Sequence, residues 1–119
     1  MARNILIVAP PGKVQEALQV LLADIPAVRV TVTADVNAAI ATLQSQRFAL
    51  VIFDGALSDS TTVLAYLQDT STASLALVEH AEEVAPLLDA GADVALVKGY
   101  PAARLLTLIN QLLEETKDE

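Results

Sequence analysis

The sequence contains no cysteine, no tryptophan, one methionine and one histidine. Without cysteine, neither a disulfide framework nor a thiolate metal site can form. The single histidine, His80, has no second imidazole with which to share a metal, so it reads as a loop residue rather than a ligand. Aromatic residues make up only 3% of the chain, which leaves few platforms on which bases or sugars could stack. Positive charge is scarce too. Seven Lys and Arg face fifteen Asp and Glu, for a net charge of −8. Such a surface repels phosphate backbones and anionic lipid, so neither nucleic acid nor membrane is expected as a direct partner. No apolar run approaches the ~18 to 20 residues of a membrane span. The opening MARNILIVAP is interrupted by proline too soon to serve as a secretory signal, and the expected location is the cytoplasm.

What is present is aliphatic. Hydrophobic residues make up 54% of the 119, dominated by Ala, Val, Leu and Ile. That is enough to fill one core, and residues 1–119 are read as one domain. Four short apolar runs, at 5–8, 48–53, 75–78 and 94–97, read as strands covered on both faces. A fifth run, Val28–Thr33, alternates apolar and polar residues and is expected at a sheet edge.

Between these runs the period becomes helical. Val14, Ala17, Leu18, Leu21 and Leu22 mark one helix, and Val36, Ala39, Ile40 and Leu43 a second. Val63, Leu64 and Leu67 mark a third, with Ser58 or Ser60 expected as its N-cap. A fourth ends at Gly91 and is expected to be short and to begin near Pro86, because proline disfavours helical geometry at Ala85. A fifth runs from Pro101 to about residue 115, after which residues 114–119 read as a solvated tail. No linker, internal repeat or low-complexity segment interrupts this order. Five strand–helix alternations predict an α/β fold with a parallel sheet and helices on both faces.

In an open α/β sheet, ligands and chemistry gather at the carboxyl ends of the strands. That directs attention to Ala9, Pro10, Asp54, Glu79, His80 and Lys98. Asp54 ends the run FALVIF and Lys98 the run VALV. PPGKV is not a phosphate loop, since Val14 stands where Ser or Thr is needed and Ile7 where the first glycine belongs. Ser60 and Thr61 have no histidine base, so nothing supports hydrolase chemistry.

Three segments, ILIVAPPGK, FALVIFDG and LLDAGADVALVKGYP, together resemble the receiver domains of two-component response regulators across nearly the whole chain. The last is the most specific, with AGAD followed five residues later by the strand-end lysine. The resemblance implies a flavodoxin-like three-layer sandwich with strand order 2-1-3-4-5. It places Asp54 at the phosphoacceptor position and Lys98 at that of the lysine contacting the phosphoryl group.

The departures are as informative. The acidic pair that holds magnesium in that family is replaced by Ala9 and Pro10, and neither side chain offers the oxygen that magnesium needs. Glu79 stands at the position of the switch hydroxyl, where a carboxylate would repel a phosphoryl oxygen. Ala95 replaces the switch aromatic, Gly99 the proline after the lysine, and Ser58 and Thr62 the family's Pro and Gly after the aspartate. Phosphoryl transfer in the family leans on the metal to neutralise developing charge. The resemblance therefore implies a degenerate pseudo-receiver with no metal and no cofactor, not an enzyme. It would act by binding a histidine kinase, an output domain or another signalling protein, or a second copy of itself.

On this reading Asp54 and Lys98 persist as an ion pair, since opposite charges about 4 Å apart attract by roughly 4 kcal/mol at an effective dielectric near 20. Lys98 is further expected to lie between Asp54 and Glu79, the other arrangement being that Glu79 points into solvent and only Asp54 touches the lysine. The alternative is a working phosphoacceptor modified at Asp54. A remoter one is an anti-sigma factor antagonist, because Asp59-Ser60-Thr61-Thr62-Val63-Leu64 faintly resembles the phosphorylatable serine motif of those domains. The fifth helix carries an apolar arc of about 160°, wider than the ~100° a core stripe needs. Leu106 and Leu113 at its edge, with Ala95 on the fifth strand, are expected to form an interaction surface.

Overall fold

A computed structural model describes residues 3–57, 59–68 and 70–115. The apolar runs become β1 (Arg3–Val8), β2 (Val28–Thr33), β3 (Leu50–Asp54), β4 (Ala73–Val78) and β5 (Val94–Val97). They are joined by α1 (Lys13–Ala23), α2 (Val36–Ser45), α3 (Ser60–Leu67) and α4 (Val84–Asp89), and α5 (Ala102–Glu115) follows β5. All neighbouring strands are parallel, in the order β2-β1-β3-β4-β5. The order and the edge position of β2 are those the sequence predicts.

Side chains alternate across each strand and so feed two cores. Ile5 and Ile7 of β1, Leu50 and Ile52 of β3, and Leu75 and Leu77 of β4 pack with Leu18 and Leu22 of α1 and Leu105, Ile109 and Leu112 of α5. On the opposite face, Leu6, Val8, Val51, Phe53, Ala76 and Val78 pack with Val36, Val63, Leu64 and Leu87 of α2, α3 and α4. Residues 5–8 are fully buried, each side chain contributing roughly 1.5–3 kcal/mol. This two-sided burial explains why the central strands show no polar alternation. In β2 both faces are partly covered: Val28, Val30 and Val32 pack on the α1–α5 side, Thr31 and Thr33 are half-buried on the other, and Arg29 stays exposed.

Two helix starts differ from expectation. Asp59, not Ser60, is the N-cap of α3; it adopts a left-handed φ of 64° and makes no side-chain cap bond. Ser60 is the first helical residue, and Ser58 lies outside the described residues. The fourth helix is short, as expected, but starts before Pro86. A 3₁₀ turn at Ala81–Glu83 runs directly into α4 at Val84. Pro86 is then the third residue of α4, where an amide has no helical acceptor to lose, so the ring is tolerated. The end of α4 is as expected. Gly91, at φ 119°, donates to Leu88 O, and Ala92 donates to Leu87 O, the paired bonds of a left-handed C-terminal cap.

The third correction concerns the expected interaction surface. Leu113 and Ala95 are buried within the chain itself. Leu113 belongs to the α1–α5 core and Ala95 to the opposite one. Arg3 at the start of β1 donates to the Leu113 carbonyl, which binds the end of α5 down onto the sheet. Leu106 alone remains half-exposed. Residues 114 and 115 complete α5 rather than fraying, and 116–119 lie outside the described residues.

Candidate functional site

Because the strands are parallel, their carboxyl ends share one edge of the sheet. Asp54 is the last residue of β3, and Glu79 and Lys98 directly follow β4 and β5. The register pairs Asp54 with Leu77 and Val78 with Val97. The Lys98 amide donates to the Val78 carbonyl at 2.8 Å, which extends the β4–β5 ladder and sets where the lysine leaves the sheet.

The Lys98 side chain reaches back across the strand ends. Its Nζ lies 3.0 Å from Asp54 Oδ1 and 2.7 Å from Glu79 Oε2. Lys98 therefore sits between the two carboxylates, as the sequence predicts. Asp54 Oδ1 also accepts from the Ala56 amide at 2.9 Å, so the carboxylate is held by the turn that follows it. The environments differ. The Asp54 side chain is 9% exposed, Lys98 20% and Glu79 54%. Burial is the largest single influence on Lys98 and pushes its pKa down. The hydrogen bonds and charges of Glu79 and Asp54 together outweigh it, so the ammonium sits above the ordinary lysine value. The three groups form one hydrogen-bonded cluster with two negative charges and one positive.

The loop after β1 presents no acid to this cluster. Ala9 is buried, its amide donating to Thr33 O at 3.0 Å and its carbonyl accepting from Gln15 Nε2 at 2.8 Å. Pro10 is exposed. The remaining acids, Asp54 and Glu79, are both engaged by an ammonium, and a dication would have to displace it. Magnesium requires several oxygen ligands in octahedral array, and among the described residues no three His, Cys, Asp or Glu side chains are grouped to hold a metal. The residues do not fit that ion.

His80 is exposed beside the cluster. Ser60, the serine of the segment that resembles an antagonist motif, is buried with its hydroxyl 3.5 Å from the Gly55 carbonyl, so it is not presented for modification. Two contributors escaped sequence reasoning. One is the Ala56 amide, a backbone group that no pattern advertises. The other is Glu83, whose Oε1 accepts from the amides of Glu79 and His80 at 3.0 and 3.3 Å. Its spacing from His80 is that of a capping box, but the N-cap residue is not the Ser or Thr that usually announces one.

Among the described residues, no helix is long and apolar enough to cross a membrane. No protein-family model and no curated protein matches the sequence. Solved structures do. A CheY-like response regulator receiver domain protein from Methanospirillum hungatei is 24% identical over 98% of each chain, with a TM-score of 0.84. The signal receiver domain of a signal transduction histidine kinase from Syntrophus aciditrophicus is 21% identical, over 99% of this chain and 95% of that one, with a TM-score of 0.85. The receiver domain of a sensor histidine kinase from Pseudomonas aeruginosa is also 21% identical, over 97% of this chain and 100% of that one, with a TM-score of 0.81. That domain coordinates a magnesium ion in its active-site cleft. With its strand order, its layers and these likenesses taken together, this chain has the CheY-like fold of response regulator receiver domains.

Proposed function

We propose that this chain is a receiver-type module of two-component signal transduction that acts by binding a partner protein and does not take up phosphate. The observation that carries the reading is the placement of Lys98 Nζ, 3.0 Å from Asp54 and 2.7 Å from Glu79. An incoming phosphoryl group would meet a carboxylate where the family offers a hydroxyl. It would have to take the ammonium from Glu79, and Ala9 and Pro10 bring no metal to offset its charge. Glu79 then acts as a resident anion on Lys98, holding the strand ends in one arrangement. The module signals by being present and bound, not by switching, and it is a binding domain rather than an enzyme. Its partner is a histidine kinase, an output domain, another signalling protein or a second copy, and its place of action is the cytoplasm. The structural neighbours named as response regulator and histidine kinase receiver domains support the receiver-type part of this reading.

The test is direct. The protein is incubated with a small acyl phosphate and magnesium, and its intact mass is followed over time. The expected result is no phosphoryl adduct at any magnesium concentration. Stoichiometric modification mapped to Asp54 would establish a working phosphoacceptor instead.

A further inference from the structure

Glu79 is more than half exposed, and an exposed glutamate with three free side-chain torsions does not hold one position without help. Its backbone is the part that is fixed. Glu83 Oε1 accepts from the Glu79 amide at 3.0 Å and from the His80 amide at 3.3 Å, while the Glu83 amide donates to the His80 carbonyl at 3.0 Å. One carboxylate oxygen thus gathers both amides that follow β4, and charge-assisted bonds of this kind are among the stronger hydrogen bonds. From the other side, Lys98 is fixed by its own amide on the Val78 carbonyl at 2.8 Å.

We infer that Glu83 is the positioning residue of the cluster, clamping the turn after β4 so that the Glu79 carboxylate is delivered to Lys98. Glu83 acts on the lysine through the backbone of its neighbour. The clamp also makes the start of the fourth helical segment part of the site. The 3₁₀ turn Ala81–Glu83 carries the clamping carboxylate, so any partner that unwinds this turn releases Glu79 from Lys98. The inference rests on the resident-anion reading of Glu79 given above, and it names the residue that keeps that anion in place.

The experiment follows the Lys98 Nζ resonance of the full chain by ¹⁵N-edited NMR as pH is raised, in wild type and in four variants. Glu79→Gln removes the resident charge and sets the scale of the response. Glu83→Ala and the milder Glu83→Asp remove or shorten the clamp. Glu83→Gln keeps an acceptor oxygen at the same reach while removing the charge. The expected result is a lower Lys98 midpoint and faster ammonium proton exchange in Glu79→Gln. Glu83→Ala and Glu83→Asp should shift in the same direction, and Glu83→Gln should recover most of the wild-type behaviour. Should Glu83→Ala fail to fold, Glu83→Asp against Glu83→Gln carries the comparison. A Lys98 resonance that responds to Glu79→Gln but not to Glu83→Ala or Glu83→Asp overturns the positioning role and leaves the resident anion standing. One that ignores Glu79→Gln overturns the resident anion itself. Loss of stability in the Glu83 variants without movement at Lys98 assigns Glu83 a merely structural role and likewise overturns the inference.

Discussion

An ammonium between two carboxylates can lose either one and keep a partner, whereas a buried carboxylate with one counter-ion cannot. Asp54 is the buried member of the cluster, with 9% of its side chain exposed against 54% for Glu79. Lys98→Met strands Asp54 with only the Ala56 amide. Breaking a fully buried pair costs about 3–5 kcal/mol, and the partial exposure of Lys98 reduces the expected loss to about 1–3 kcal/mol. Glu79→Gln leaves the Asp54–Lys98 pair intact and should cost under about 1 kcal/mol. Urea denaturation checks the order: the midpoint should fall clearly in Lys98→Met and barely in Glu79→Gln. Equal losses would mean that burial does not rank the two carboxylates. Gly55 offers a separate steric test. A Cβ there would meet Val78 Cγ1 at 2.9 Å, Leu87 Cδ1 at 3.1 Å and the Leu77 carbonyl at 3.2 Å. Gly55→Ala should therefore destabilise by about 1–3 kcal/mol, the usual cost of overpacking. It would do so by pushing the turn after Asp54 away from β4, and an unchanged urea midpoint would show that the turn yields freely.

Among the elements, α5 shows where periodicity stops being informative. Leu106 and Leu113 are seven residues apart, so they occupy nearly the same angular position on the helix. Yet Leu113 is buried and Leu106 is half-exposed. The difference lies along the axis: Leu113 sits where the start of β1 folds against the helix through Arg3, two turns beyond Leu106. A helical wheel projects that axis away, and so the sequence assigned both leucines to one surface. Leu113→Ala should cost about 2–4 kcal/mol as a core truncation, and Leu106→Ala under about 1 kcal/mol. Thermal denaturation of the two variants decides which leucine is structural. The same reasoning explains what was legible elsewhere. The edge position of β2 could be read because its apolar–polar alternation is kept in the sequence, whereas the strand order came with the resemblance to receiver domains. The three strand-end residues of the site could be read too, since each directly ends or follows a run of aliphatic residues. The start of α4 could not, because proline breaks a helix interior but not a first turn, and which of the two applied depended on the 3₁₀ turn before it. Glu83 stayed hidden because its partners are amides, which every residue carries.

At the scale of the whole molecule, the cluster's net negative charge lies within a chain of net charge −8, so the folded state carries a repulsion that Lys98 locally relieves. This fixes the pH window in which the lysine stabilises the fold. Its pKa is raised in the folded state, the attraction of Glu79 and Asp54 outweighing burial, while an unfolded lysine titrates near ~10.4. Folding therefore favours the protonated form. The stabilisation is fully present below about pH 10.4 and is lost as pH rises through the higher folded value. Between about pH 6 and 9 this group makes stability independent of pH. The informative quantity is the difference between wild type and Lys98→Met, in which the contributions of all other groups largely cancel. That difference should stay constant from about pH 6 to 9 and shrink above about pH 10.4 as the ammonium is lost. Denaturant midpoints measured across this range at fixed ionic strength supply the curve. A gap that instead widens as pH rises toward about 10.4 would mean that the folded lysine titrates below its unfolded value, with burial rather than the two carboxylates governing its proton.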